Sequence, residues 1–152
     1  MKSTVLLLSI GLFSTAVWAD ECSYDLTGTD AFYFQNNQGE VVKQIAVPSS
    51  CTDFTINLRN GTKMRKTAMG HNVVIAKSNE IKSIIKDGVR YGFRDGYLKP
   101  GDKRIVAASK MIGGGEKTSV RFPVAKIKDD NYDFFCSFMG HDRKMRGKLV
   151  VE

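Results

Sequence analysis

Residues 136–145 read Cys136-Ser-Phe-Met-Gly-His141-Asp-Arg-Lys-Met145, which places a thiol, an imidazole and a thioether within ten residues. The chain has only two histidines, and the other one, His71, lies far upstream. A thiolate, two neutral imidazoles and a weak thioether form the soft ligand set that selects copper. Structural zinc instead takes four strong ligands, and catalytic zinc takes three and a water. The motif therefore favours a copper site over a zinc site.

The chain has three cysteines, so one is left over when two form a disulfide. Cys22 and Cys51 lie before and after the first hairpin-like stretch, whereas Cys136 lies inside the ligand motif. In an oxidising compartment, the economical assignment is a Cys22–Cys51 disulfide with Cys136 as a metal thiolate. The alternative is a buried free thiol at Cys136, which is less favoured because exported free thiols tend to oxidise.

Residues 1–19 have the pattern of a secretory signal peptide. Lys2 supplies a positive start, residues 5–17 are nearly continuously apolar, and small residues precede Asp20. The apolar run is too short for a spanning helix, and a retained amphipathic anchor is the alternative interpretation. We expect cleavage after Ala19, a periplasmic location, and a mature domain of residues 20–152 without a membrane anchor.

The length of the mature chain suits a single domain with one hydrophobic core. The formal charge is +7 from 23 basic and 16 acidic residues, and loss of Lys2 with the leader leaves +6. A basic protein favours acidic partners. Nucleic acid is not an expected partner, because the basic residues are scattered without aromatic platforms or a known binding motif. We also expect a monomer.

Short runs of β-branched and aromatic residues, separated by turn residues, dominate the mature sequence. They predict about eight strands, at 31–34, 41–47, 54–58, 71–77, 104–109, 118–124, 132–138 and 147–151. Residues 78–88 instead place apolar side chains at spacings of three and four, which predicts a short helix with Ser78 as its N-cap. The pattern therefore predicts an all-β, Greek-key sandwich or barrel with one inserted helix.

Several motifs together resemble the azurins, which are blue-copper electron carriers with the cupredoxin fold. These motifs are Met69-Gly70-His71-Asn72, Tyr97-Leu98-Lys99-Pro100, Gly114-Gly115-Glu116-Lys117 and Phe134-Phe135-Cys136-Ser137-Phe138. The resemblance covers essentially the whole mature chain. It implies a cupredoxin fold, one type 1 copper site and one-electron transfer rather than an enzyme activity.

The resemblance implies five metal ligands and two supporting residues. The ligands are His71, Cys136 and His141 in the equatorial plane, Met145 as a long axial ligand, and the backbone carbonyl of Gly70 opposite it. Asn72 is expected to join the two ligand segments by hydrogen bonds, and the amides of Asn72 and Phe138 to donate to the Cys136 sulfur. Such bonds fix the ligands and tune the reduction potential.

Three departures from the azurin pattern are visible. Met139 occupies a position that is usually proline, which predicts a less constrained loop and an extra amide donor near the sulfur. Asn60 aligns with a buried third histidine found in some azurins. Trp18 is the only tryptophan and lies in the leader, so the core tryptophan of some relatives is missing.

In azurins the electron passes through the ligand histidine that corresponds to His141, which is ringed by apolar side chains. Here the expected ring comprises Met64, Ala68, Met69, Gly70 and Met139. Basic residues follow in the same two segments, namely Lys63, Arg65, Lys66, Arg143, Lys144 and Arg146. We expect Lys66 and Lys144 to steer the protein toward acidic redox partners. The alternatives are ordinary core packing for the methionines and a merely solvated face for the charges.

The partners implied by the resemblance are redox proteins such as c-type cytochromes and terminal reductases or peroxidases. The first alternative function is a periplasmic copper-binding or copper-delivery protein, whose site would be exposed and labile. The second is a copper-free β-sandwich that serves as an interaction domain.

Overall fold

The computed structural model describes residues 21–152, so the predicted signal peptide, its cleavage site and Trp18 lie outside the described residues. Within this range the chain forms nine strands and two α-helices. The strands are β1 Ser23–Gly28, β2 Phe34–Gln35, β3 Gln44–Val47, β4 Asp53–Asn60, β5 Val74–Lys77, β6 Ile105–Ala108, β7 Lys117–Pro123, β8 Tyr132–Phe135 and β9 Arg146–Val151. The helices are α1 Lys66–Met69 and α2 Ile81–Gly88.

The strands form two mixed sheets. One has the order β2-β1-β4-β7 and the other the order β3-β9-β8-β5-β6. Strands β1 and β4 pair in parallel, as do β3 and β9, and the remaining pairs are antiparallel. Within the described residues the sheets stay separate rather than closing into a barrel. The predicted all-β sandwich with a short inserted helix is confirmed.

The core lies between the sheets because alternate residues of each strand point inward. Phe54, Ile56 and Leu58 of β4 are all buried, and the Phe54 ring lies 6.0 Å from that of Phe122 on β7. Away from the functional site, a disulfide joins Cys22 to Cys51 across 29 positions, as predicted. Closing a loop of this length stabilises the fold by about 3–4 kcal/mol in the chain-entropy description.

Helix α2 covers the outer face of the five-stranded sheet. Ile81 and Ile84 are buried against Val74 and Phe135, which satisfies the apolar spacing seen in the sequence. The prediction of a Ser78 cap was wrong. The helix begins after Glu80 without a side-chain cap, and the Ser78 hydroxyl donates to a carboxylate of β8 instead. Among residues 21–152, no helix is both long and apolar enough to cross a membrane.

Two further elements differ from the sequence expectations. Strand β1 was not predicted, because only Leu26 and Gly28 of its six residues are buried and the alternation is short. The predicted strand at 31–34 begins only at Phe34, since Phe32 has a left-handed backbone with φ of 64°. The chain turns at this point, which places the Phe32 ring outside the sheet.

Candidate metal centre

His71 lies in the segment between α1 and β5 and is fully buried. Its amide donates to the carbonyl of Ile112 at 3.1 Å, and the amide of Ile112 donates back to the His71 carbonyl at 2.9 Å. Gly28 at the end of β1 packs against the imidazole, because a Cβ there would lie only 2.6 Å from the ring atom Cδ2. The position of this histidine is therefore set by two different parts of the scaffold, Ile112 and the end of β1.

The other candidate ligands lie on one loop between β8 and β9. The amide of Cys136 donates to the Met145 carbonyl at 3.0 Å, and the amide of Met145 donates to the His141 carbonyl at 2.8 Å. Gly140 has a φ of 83°, a conformation that glycine adopts without a Cβ penalty, and it starts the 3₁₀ turn His141–Arg143. These bonds close a tight loop that points both side chains of Cys136 and His141 inward.

The two segments meet in one buried cluster. The ligand atoms of His71, Cys136 and His141 all lie within 4.8 Å of one another. The Cys136 Sγ lies 3.7 Å from Nδ1 of His141 and 3.9 Å from the carbonyl oxygen of Gly70. Met145 has no exposed surface, and the exposed fraction of His141 is only 4 %. One thiol and two imidazoles are thus brought together out of water.

The hydrogen bonding of His71 fits a metal ligand. Neither ring nitrogen makes a hydrogen bond of normal geometry among the described residues, where only the backbone of Thr29 and of Gly70 approaches the ring, and an unpaired buried polar group costs about 1–3 kcal/mol. Burial and the neighbouring His141 lower the pKa of His71 to about 4, against the smaller opposing effect of the Thr29 and Gly70 carbonyls. Burial also lowers the pKa of His141 to about 4. Both imidazoles are therefore neutral at pH 7, the form that binds a metal.

The thiol of Cys136 points to the same conclusion. Burial, with a smaller contribution from the charge of Asp142, raises its pKa to about 12, although hydrogen bonds from the backbone amides of Asn72 and Phe138 partly oppose this rise. Without a cation the sulfur stays protonated at neutral pH. A metal ion would remove this proton and supply the missing positive charge. The residues of the cluster therefore fit a soft metal ion.

Asn72 joins the two ligand segments. Its Nδ2 donates to the Ser137 hydroxyl at 2.8 Å, and its Oδ1 accepts from the Ser137 amide at 2.9 Å. The Ser137 hydroxyl also lies 2.6 Å from the carbonyl of Gly96. Because Asn72 follows His71 and Ser137 follows Cys136, this buried pair sets the distance between two of the candidate ligands.

Aromatic rings surround His141, and one of them, Phe32, was not predicted from the sequence. The imidazole lies 4.9 Å from the ring of Phe32 and 4.5 Å from that of Phe138, which in turn contacts Tyr97 edge-on at 5.4 Å. Phe32 and Tyr97 are the two non-glycine residues of the described chain with positive φ. Phe32 was overlooked because its short run looked like a strand, and no local signal reveals its turn.

The predicted docking residues fall into an exposed and a half-buried group. Met64 and Met139 expose 45 % and 57 % of their surface, Ala68 is also exposed, and Met69 is half-buried. The Phe32 ring, 36 % exposed, belongs with this apolar group. Of this group, the Phe32 ring contacts the covered imidazole, and Met139 lies two residues before it in the chain.

The basic residues near the loops also divide into two groups. Lys66 and Lys144 are exposed; the ammonium of Lys66 lies 5.9 Å from the Phe93 ring and that of Lys144 lies 5.4 Å from the Tyr33 ring. Arg146 was expected in the same rim, but its charge is paired rather than free. Its guanidinium pairs with the buried Asp133 of β8 and donates to the carbonyl of Ser78.

A sandwich of two mixed sheets with a buried site of one thiol and two imidazoles defines a copper protein of the cupredoxin class. Residues 22–152 match the family model described as copper binding proteins, plastocyanin/azurin family, and the chain belongs to this family. Copper is accordingly its cofactor, and one copper site is present in the described chain.

Similar proteins agree with this assignment. The chain is 45% identical to azurin of Bordetella pertussis over 140 residues, which cover 91% of this chain and 89% of that protein. It is 40% identical to azurin of Pseudomonas aeruginosa over 144 residues, with coverages of 94% and 93%. Among solved structures, the azurin Az-iso2 of Methylomonas sp. strain J has a TM-score of 0.78 and 42% identity, covering 86% of this chain and 98% of that one.

Proposed function

We propose that this chain is an exported blue-copper protein that carries single electrons between periplasmic redox partners. The convergence of His71, Cys136 and His141 within 4.8 Å, fully shielded by the fold, is the observation that carries this proposal. Copper, when bound, alternates between Cu(II) and Cu(I) and so supplies one-electron chemistry. Membership in the plastocyanin/azurin family supports the same conclusion.

In this proposal each nearby residue has a defined role. His71, Cys136 and His141 would hold the copper, the Met145 thioether and the Gly70 carbonyl would be its weaker ligands, and the amides of Asn72 and Phe138 would support the thiolate. Gly70 suits its role because a side chain there would meet the carbonyl of Lys66 at 2.5 Å. Glycine therefore lets this peptide pack against α1 in the position that leaves its carbonyl 3.9 Å from the sulfur.

The scaffold holds the ligands in fixed positions and excludes water from the site. Ile112 and Gly28 hold His71, and the Asn72–Ser137 pair holds the distance between the two ligand segments. Electron transfer is fast when the ligands move little between the two oxidation states, and a fixed ligand set meets this requirement. The burial of all three side chains also excludes water, so solvent need not reorganise around the site.

We propose that the electron leaves through His141 at the apolar surface of Phe32, Met64 and Met139. Flexible thioethers suit short-lived docking to more than one partner. Lys66 and Lys144 lie exposed in the two segments that carry the ligands and attract acidic partners. The partners are then redox proteins with acidic docking faces, such as c-type cytochromes and terminal reductases or peroxidases.

A carrier is favoured over an enzyme because protein groups would supply the whole ligand set and leave no position for substrate. A copper-delivery protein is the second candidate, since delivery also requires a copper site. Burial of the ligand atoms disfavours it, because delivery needs an accessible and labile metal. Transfer of Cu(I) to a competing chelator within seconds would support delivery, whereas retention over hours is expected of a carrier.

Reduction of the copper-loaded protein by a soluble c-type cytochrome, followed by stopped-flow absorption, tests the carrier function. We expect second-order transfer that slows with rising salt. The double variant Lys66→Glu with Lys144→Glu should slow the transfer and lose most of this salt dependence. Lys82→Glu with Lys126→Glu, which changes the charge equally at exposed positions outside the ligand segments, is the matched control. Identical rates and salt slopes in both variants would contradict steering.

A further inference from the structure

Asn60, at the end of β4, is a fully buried amide that belongs to none of the ligand positions. Its Nδ2 donates to the carbonyl of Met69 at 2.9 Å and to that of Ile112 at 3.1 Å. Its Oδ1 accepts from the amide of Thr62 at 3.0 Å. Both donors of the carboxamide and its oxygen are thus engaged.

The two carbonyls flank the peptide groups of the first ligand segment. Met69 immediately precedes Gly70 and His71, and the carbonyl of Ile112 accepts from the amide of His71 as well as from Asn60. A single carboxamide therefore bonds to the residue two before His71 and to Ile112, which pairs with His71 in an isolated bridge. The carbonyl of Gly70 lies 3.9 Å from the Cys136 sulfur. It follows the Met69 carbonyl in the chain and belongs to the same peptide group as the His71 amide that donates to Ile112.

Asn60 is itself held in place through its backbone. Its amide donates to the carbonyl of Glu116 at 3.0 Å, and its carbonyl accepts from the amide of Gly115 at 2.9 Å. The side chain therefore extends from a fixed backbone, and little conformational freedom remains to be lost when it bonds to its partners. The orientation of the amide is also determined, because carbonyls need a donor and the Thr62 amide needs an acceptor.

We propose that Asn60 is a positioning residue for the metal centre. It fixes the Gly70–His71 segment by donating to the carbonyl of Met69, which precedes the segment, and to that of Ile112, which pairs with it. In this way it sets the positions of His71 and of the Gly70 carbonyl in the site. Only a residue with two donors on one short planar group meets this requirement. An aspartate of the same shape would instead turn a carboxylate oxygen toward two carbonyl oxygens. The inference rests on the proposed ligand roles, but its first test is independent of them.

That first test is native-state hydrogen exchange of the unmodified, copper-free protein. If one carboxamide joins the two segments, the amides of His71, Ile112 and Thr62 should open together, with the same dependence on denaturant. The proposal would be overturned if the Thr62 amide exchanged in a separate opening that left the protection of the His71 amide unchanged. This outcome would count against it whether or not the protein carries electrons.

The second test compares Asn60→Asp and Asn60→Ser with Asn79→Asp, which makes the same charge change at an exposed position. We expect Asn60→Asp to lower the protection of the His71 and Ile112 amides about tenfold or more relative to core amides of β4 and β7. In the copper-loaded protein, both Asn60 variants should shift the reduction potential and the visible absorption maximum, and Asn79→Asp should shift neither. Uniform loss of protection across the sheets, with an unchanged potential, would show a merely structural role and overturn the proposal.

Discussion

The segment that carries His71 and the loop that carries Cys136, His141 and Met145 are held in different ways. His71 is fixed from outside its own segment, by Ile112, by the close packing of Gly28 and by the Asn60 amide. The ligand loop is fixed mainly by its own bonds, with a backbone closure from Cys136 to Met145. Two ligand positions, Gly70 and His71, thus depend on the scaffold, whereas three depend on a local turn.

This difference predicts where the molecule tolerates change. The His71 segment is surrounded by buried contacts, so substitutions around it should disturb both the fold and the site. The ligand loop carries Met139, which is 57 % exposed, and rests on an accessible ring at Phe32. Substitutions at these two positions should alter the site while leaving most of the fold intact.

The largest expected effect is the acid sensitivity of the copper-free protein, to which both regions contribute. The pKa of each imidazole is about 4 in the folded chain, below the unfolded value of 6.5. Between these values the unfolded chain binds more protons than the folded chain. The contribution of the two neutral imidazoles to the free energy of unfolding is therefore complete above pH 6.5 and is lost as the pH falls toward 4. Each histidine contributes a slope of up to about 1.4 kcal/mol per pH unit.

Urea unfolding of the copper-free protein from pH 7.5 to 4 measures this loss. The double variant His71→Gln with His141→Gln serves as the control, because it retains all other titrating groups. We expect the unmodified chain to lose several kcal/mol more than the double variant over this range. Parallel stability curves would show that neither imidazole is held neutral by the fold.

Gly28→Ala tests the scaffold side of the comparison. The new Cβ would lie 2.6 Å from the His71 ring, so we expect a loss of about 1–3 kcal/mol together with weaker copper binding. Gly101→Ala is the control: its φ of +70° strains an alanine, but its Cβ meets nothing within 4 Å. Denaturation and copper titration of both variants separate the two effects. Unchanged copper affinity in Gly28→Ala would mean that β1 does not position His71.

Substitutions of Phe32, whose ring contacts His141 of the ligand loop, test the other side of the comparison. We expect the backbone strain at this residue to cost about 1 kcal/mol in the free energy of unfolding. Phe32→Ala and Phe32→Gly remove the same ring from His141, but only glycine relieves the left-handed backbone at φ of 64°. We therefore expect Phe32→Gly to be more stable than Phe32→Ala by urea unfolding, and both to open His141 to solvent. Equal stability of the two variants would indicate that the backbone is not strained there.

Met139→Pro should have the smallest effect. The amides that face the Cys136 sulfur belong to Asn72 and Phe138, so the substitution removes no bond to the thiolate in this structure. We expect only a modest change in reduction potential and self-exchange rate by voltammetry, caused by a stiffer loop. A change in reduction potential larger than that caused by Asn60→Asp would mean that the ligand loop affects the metal centre more than the His71 segment does.

Much of the site was visible in the sequence because it lies in a local motif. Residues 136–145 hold three candidate ligands in order, and the scarcity of histidine pointed to His71. The odd cysteine count also gave the observed Cys22–Cys51 pair. The alternating runs predicted a sandwich because a two-sheet core requires alternation.

The remainder depends on tertiary contacts that leave no local pattern. Asn60 looks like an ordinary turn residue before Gly61, and only the fold brings Met69 and Ile112 to its amide. Arg146 looked like a free surface charge until β8 placed Asp133 beside it. The role of Phe32 could not be predicted, because only the folded chain brings its ring into contact with His141.

The visible absorption spectrum during titration of the copper-free protein with Cu(II) tests the central claim most directly. If His71, Cys136 and His141 bind one copper as a closed thiolate site, an intense visible band that colours the protein blue should rise and saturate at one copper per chain. Cys136→Ser should abolish it, and His71→Gly should weaken or shift it. A pale spectrum in the unmodified protein, or an intense band that survives Cys136→Ser, would contradict the account.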